Sequence, residues 1–181
     1  MTRLLAAVLL AASALAASAL AASAGDFDGP EYPYKVPLGL KAPDVPEDNP
    51  VTDAKVDLGK KLYFDKRLSR DATVSCATCH APEKGWTDQS PVSTGIKGQK
   101  GGVSAPTVLN SAYMEFQFWD GRAKSLEEQA KGPIQNPIEM GFTHEEAVVR
   151  LKTIKGYAPL FKKAFGDEAI DIERVARAIA T

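Results

Sequence analysis

Two cysteines stand three positions apart and a histidine follows the second, in Ser75-Cys76-Ala77-Thr78-Cys79-His80. The chain has 181 residues and no other cysteine. That excludes a multi-disulfide scaffold, and any fold must present these three side chains from one short segment. C-x-x-C-H is the attachment pattern of a c-type haem. Thiols about one helical turn apart reach the two vinyl groups of one porphyrin as thioethers, and His80 then projects toward the iron. Three other uses compete for the same residues. A redox disulfide of this type sits on a βαβ framework, of which the sequence shows no sign. A zinc site needs a fourth ligand, and only His144 remains among the usual Cys and His donors. A structural disulfide has no use for His80.

The first 24 residues differ from the rest. Met1-Thr2-Arg3 is a short positive start, Leu4 to Ala12 is unbroken apolar, and Ala22-Ser23-Ala24 gives a small-x-small pattern before a polar stretch. These are the three regions of a cleaved secretory signal peptide, residues 1–24. Ser13 and Ser18 interrupt the apolar run, which falls short of the ~20 residues of a membrane-spanning helix. The mature chain is expected to be free of the membrane in an oxidising compartment, the bacterial periplasm. Its formal net charge, −1 for the whole sequence, shows no basic excess and argues against nucleic-acid binding. Without the leader the apolar share falls to roughly 39%, lean for a packed core.

Residues 25–50 are rich in Pro, Asp and Gly and read as an extended arm. Residues 51–64 suggest a first helix, capped by Thr52 or Asp53, with Leu58 and Leu62 on one face and Gly59 as a mild cost. Residues 65–106 hold the cysteines and then a long loop, the kind that is usually functional or wrapped around something. Pro106 suggests a short helix over 107–112. Ser125, with Glu128 as capping-box partner, starts a helix that Gly132-Pro133 should end. Thr143 and Glu146 form a second capping box. Residues 157–165 should stop at Gly166, and Asp171 should cap a last helix. That helix runs to Thr181 without a C′ glycine, which reads either as a frayed terminus or as a chain cut inside a helix with more protein beyond. No alternating strand pattern appears. The expectation is an all-α, cytochrome c-like haem domain over 51–181, with short helices and long loops.

Several segments carry a resemblance. They are Leu58-Gly59-Lys60-Lys61-Leu62-Tyr63-Phe64-Asp65, the cysteine motif, Ala105-Pro106-Thr107-Val108-Leu109-Asn110, Gln117-Phe118-Trp119-Asp120-Gly121-Arg122, and residues 129–140 from Gln129 to Met140, then 157–165. In order and spacing the chain resembles the N-terminal half of the bacterial dihaem cytochrome c peroxidases, a family that includes the methylamine-utilisation dihaem enzyme. The resemblance implies the peroxidatic domain of an enzyme that reduces hydrogen peroxide to water, with one covalent haem c here. Electrons would come from a small cytochrome c or a blue-copper protein. A second haem domain is not expected within the chain, turnover by the chain alone is expected to be incomplete, and a homodimer is allowed. Cys76 and Cys79 would hold the haem, and His80 would ligate its iron. Glu139 and Gln129 match the family's distal polar pair, and Trp119 matches the aromatic electron relay between the haems. Chemistry supports the first two roles. A carboxylate can take a proton from the near oxygen of peroxide and return it to the far one, and an amide can orient the peroxide. Read singly, Gln129 is a solvated helix residue, Glu139 a loop carboxylate and Trp119 a core side chain.

Two positions depart from the pattern. Many relatives carry Ser-x-Gly-His, whose histidine caps the iron at rest. Here the run is Ser93-Thr94-Gly95-Ile96-Lys97, and Ile96 cannot ligate. The iron should therefore rest with an open distal side. Ser104 stands where relatives often place an Asn near an interdomain calcium, so the likeness does not extend to calcium. The rival class is a monohaem electron-transfer cytochrome c with Met140 as second axial ligand, Met114 being a weaker choice. His144, in the first turn of a capped helix, reads as a surface residue.

Overall fold

The computed structural model describes residues 36–181. The signal-peptide reading and the first part of the arm, residues 25–35, lie outside the described residues. The described chain is helical. It contains α1 (Asp53–Phe64), α2 (Cys76–Cys79), α3 (Leu126–Gln135), α4 (His144–Thr153), α5 (Tyr157–Phe165) and α6 (Ile172–Ala180), with four single 3-10 turns. Among the described residues there is no named strand, only three isolated antiparallel bridges. No helix there is long and apolar enough to cross a membrane.

Local chemistry sets most helix ends. Thr52 caps α1 by accepting from the Lys55 amide. Thr143 and Glu146 close a reciprocal capping box on α4. Gly166, at φ +92°, ends α5, and Asp171 caps α6. At α3 the Ser125 hydroxyl accepts from the Glu128 amide, but the Glu128 carboxylate accepts from the Lys124 amide instead of Ser125.

Two expectations fail. Helix α3 does not stop at Gly132-Pro133 but runs through Pro133 to Gln135. The amides of Asn136, Met140 and Phe142 donate to the carbonyls of Gly132, Pro133 and Ile134, which holds the final turn in place. No helix forms over 107–112. There the Thr107 hydroxyl accepts from the Leu109 amide and donates to the Gly85 carbonyl, and only Ser111–Tyr113 makes a 3-10 turn.

The core joins α1, α3, α4, α5 and α6. Leu58, Leu62, Leu68, Ile134, Leu151, Phe161 and Val175 are fully buried in it. Helix α6 packs most closely on α1 and α3. Gly59 marks the α1–α6 crossing, because a Cβ there would lie 1.8 Å from the Ala178 carbonyl oxygen. The residue that reads as a mild helix cost is thus a steric requirement of tertiary packing. Gly59→Ala should destabilise the protein by about 3 kcal/mol, the upper range for overpacking, despite its better helix propensity. Chemical denaturation measures this, and a neutral or stabilising result would contradict the crossing.

A buried polar network ties the described end of the arm to the helices. The Lys55 ammonium donates to Asn49 Oδ1 and the Pro50 carbonyl, both at 2.9 Å. Asn49 Nδ2 donates to Glu127 Oε1 at 2.8 Å and to the Arg177 carbonyl at 3.1 Å. These bonds satisfy a lysine that is only 6% exposed. They also fix the first turn of α3, the helix that bears Gln129.

Candidate haem site

Helix α2 is a single turn. Ser75 caps it, with the Thr78 side chain reaching back to the Ser75 amide. The turn sets Cys76 and Cys79 about one pitch apart, both free thiols and both partly buried. Burial pushes the Cys76 thiol up to about 12. Burial also raises Cys79, and the charges of Asp88 and Glu139 act the same way. The buried Ser93 hydroxyl lies beside Cys79 and opposes that rise by contact with the thiol.

His80 follows directly. Its Nδ1 is 2.9 Å from the Pro106 carbonyl oxygen. With Nδ1–H donating there, the lone pair sits on Nε2, the nitrogen free to bind a metal. Burial lowers the His80 pKa, partly offset by the Pro106 and Trp86 carbonyls, so the ring is neutral, as a ligand must be. Pro106 therefore serves as an orienting acceptor where the sequence suggested a helix start. Trp86 holds φ +61°, uncommon for a bulky residue, within a tight loop closed by the Ala81–Thr87 bridge.

Glu139 sits in the turn after α3. Its carboxylate accepts from Asn136 Nδ2 at 2.8 Å, and its carbonyl accepts from the Ile96 amide at 2.9 Å. Gly95 makes this approach feasible, since a Cβ there would meet the Ile138 carbonyl oxygen at 2.0 Å. The 93–96 loop thus links Cys79 to Glu139. Burial raises the Glu139 pKa, opposed by Arg122 and the Asn136 bond. Ile96 is 3% exposed and belongs to the core, its Cδ1 atom against Gly141. Met140 is also a core residue.

Gln129 is half-buried on α3, one turn before Gly132, and no side-chain bond joins it to Glu139. Trp119 is not a core residue, being 66% exposed, with Nε1 donating to the Ser104 carbonyl at 2.8 Å. Its neighbour Phe118, at φ +68°, turns the other way. That ring lies under the Arg122 guanidinium, 3.6 Å from its centroid, and its tip would touch a Cβ at Gly132. Arg122 is the charge that sequence reasoning passed over. It stacks on Phe118, pairs with Asp120 at 2.8 Å and lies within electrostatic reach of Glu139. Its place in Trp119-Asp120-Gly121-Arg122 was visible, but nothing local linked it to residue 139. His144 is half-buried, with Nε2 3.0 Å from the Lys131 carbonyl oxygen, so it is tied to α3 and not freely exposed as expected.

These residues fit a c-type haem. The donor set is two thiols and a neutral, oriented imidazole. Val103, Leu109, Met114, Phe116 and Trp119 are each exposed in the segment between Cys79 and α3. Among the described residues no three His, Cys, Asp or Glu side chains cluster to hold a bare metal ion.

Comparison with known proteins agrees. The family model for di-haem cytochrome c peroxidase matches residues 53–181. The chain is 45% identical over 145 residues to the methylamine utilization protein MauG of Methylophilus methylotrophus, covering 78% of this chain and 43% of that protein. It is 50% identical over 124 residues to the cytochrome c551 peroxidase of Nitrosomonas europaea, covering 68% and 37% respectively. The chain thus spans about two-fifths of the length of the curated relatives it matches. Among solved structures, a MauG-like protein associated with microbial copper homeostasis superposes with a TM-score of 0.77 at 34% identity, over 83% of this chain and 45% of that one.

Proposed function

Because the chain belongs to the di-haem cytochrome c peroxidase family, we propose that residues 51–181 form a peroxidatic haem c domain, exported to the periplasm, that reduces hydrogen peroxide with electrons from a small redox protein. The observation that carries this reading is a half-buried carboxylate, Glu139, held within electrostatic reach of the haem-attachment cysteine Cys79. An electron carrier has no use for an acid–base group there. Met140, the axial ligand a carrier would need, is packed in the core.

When bound, the haem supplies the redox-active iron at which peroxide accepts two electrons. Cys76 and Cys79 would hold it, and His80, its ring fixed by the Pro106 carbonyl, would ligate it. Glu139, as carboxylate, takes the proton from the near oxygen of peroxide and gives it to the far oxygen, so that water can leave. Asn136 keeps that carboxylate oriented between the two transfers. The Gln129 amide donates to the peroxide and polarises it. Trp119, exposed in the segment before α3, carries electrons inward from a covering domain or partner. Ile96 carries no donor atom and would offer the iron no ligand.

Mixing the oxidised holoprotein with peroxide tests this. The resting spectrum is expected to be high-spin, and the Soret band should shift within the mixing time without prior reduction. A low-spin resting spectrum with two strong axial ligands, unmoved by peroxide, would defeat the reading.

A further inference from the structure

Glu139 lies in the turn after α3, residues 136–141, and most carbonyls of that turn are held from outside it. The Asn136 carbonyl closes the turn from within, accepting from the Glu139 amide at 3.1 Å and the Gly141 amide at 2.9 Å. The Pro137 carbonyl accepts from Gln99 Nε2 at 3.1 Å, and the Glu139 carbonyl from the Ile96 amide at 2.9 Å. The next two carbonyls go to one residue. The Arg70 amide donates to the Met140 carbonyl at 2.9 Å, and Arg70 Nε donates to the Gly141 carbonyl at 2.5 Å.

The two outside segments also hold each other. Asp71 Oδ2 accepts from the Lys97 amide at 3.3 Å, while its Oδ1 accepts from the amide and hydroxyl of Thr73. A closed ring therefore runs from Arg70 to the Met140 and Gly141 carbonyls, from the Glu139 carbonyl to Ile96, and from Lys97 back to Asp71. The turn and the loop also meet side on, since a Cβ at Gly141 would lie 2.3 Å from Ile96 Cδ1. Neither can shift without breaking bonds to the other or to residues 70–71. The remaining partner of Arg70 is Glu146, at 2.6 Å, in an ion pair whose two side chains are 49% and 45% exposed. A pair so exposed adds little to stability. The bonds to the turn are what set Arg70 apart from an ordinary surface arginine.

We propose that Arg70 is a positioning residue for Glu139, and that with Asp71 it braces the turn so that the carboxylate is in place before peroxide arrives. The proposal rests on the peroxidase reading, in which Glu139 moves the proton. A group fixed beforehand does not have to be ordered during the reaction, and small displacements of such a group are costly. Arg70 also stands six residues before Cys76, so one short segment carries both the brace and the haem attachment.

Arg70→Met removes the Nε donor and the ion pair but keeps the backbone amide and an apolar stem. In the holoprotein its limiting rate with peroxide should fall roughly 10–100-fold, at an unchanged half-saturating peroxide concentration. Asp71→Asn keeps an acceptor for Thr73 and loses the one for Lys97, and should slow the reaction too. Glu146→Gln breaks the ion pair alone and should react as the wild type does. Placed on Glu139→Gln, Arg70→Met should cost no more than about twofold further, because the group it positions is gone. Without peroxide, hydrogen exchange at the Ile96 amide should quicken about tenfold in Arg70→Met. A wild-type limiting rate in Arg70→Met, or an equal loss on the Glu139→Gln background, would overturn the proposal. A wild-type rate in Glu139→Gln would instead overturn the peroxidase reading, and Ile96 exchange would then decide the brace by itself.

Discussion

Cys76→Ser combined with Cys79→Ser is expected to yield protein that keeps no haem after denaturation, where the wild type keeps one haem's mass. Both thiols sit on the single turn of α2, and no other cysteine exists to substitute. A non-covalent haem held only by His80 leaves when the fold opens, whereas thioethers persist. Intact mass under denaturing conditions reads this directly. Retention of a covalent haem by the double variant would show that the attachment lies elsewhere. The same variant should also unfold more easily. Any group that binds only the native state stabilises it. A loss of about 3 kcal/mol would lower Tm by roughly 6–12 °C in a chain of this size.

Glu139→Gln should slow the reaction with peroxide by about 10²–10⁴-fold, the usual span for removing a positioned acid–base group. That corresponds to about 3–5 kcal/mol of barrier. The amide keeps an acceptor for Asn136 Nδ2, so the turn should survive and the loss should be chemical. Rapid mixing of the variant with peroxide gives the rate, and a wild-type rate would remove Glu139 from the mechanism. The pH dependence has a definite sign. The base form is needed first, and burial holds the native pKa above the ordinary glutamate value. The wild-type rate should therefore fall as pH drops through that raised value, and the limb should vanish in the variant. Stability runs the other way. A carboxyl whose pKa is higher folded than unfolded contributes stability below its unfolded pKa, and loses it as pH rises through the folded one. At neutral pH the glutamine variant should therefore be at least as stable as the wild type while far slower, as expected where a catalytic group is held against its preferred solvation.

The cysteine motif, the caps at Thr52, Ser125, Thr143 and Asp171, and the stop at Gly166 were legible because each depends on residues within a turn of one another. Gln129, Glu139 and Trp119 could be nominated only by likeness to relatives. As single residues they are unremarkable, and their surroundings come from elsewhere in the chain. The carboxylate of Glu139 is held by Asn136 nearby, but its backbone is pinned by the loop at Gly95 and Ile96, more than forty residues earlier.

By itself the sequence determined the spacing of the cysteine motif, the helical class and where most helices begin. Each of these follows from short-range hydrogen bonding, capping geometry and the covalent reach of two thiols. Tertiary structure alone decided that α3 continues through Pro133, that Gly59 admits no side chain, that Pro106 orients His80 and that Trp119 faces solvent while Phe118 turns inward. Those outcomes depend on carbonyls, rings and backbones brought together from distant parts of the chain, and their energies exceed the local propensities that a sequence displays.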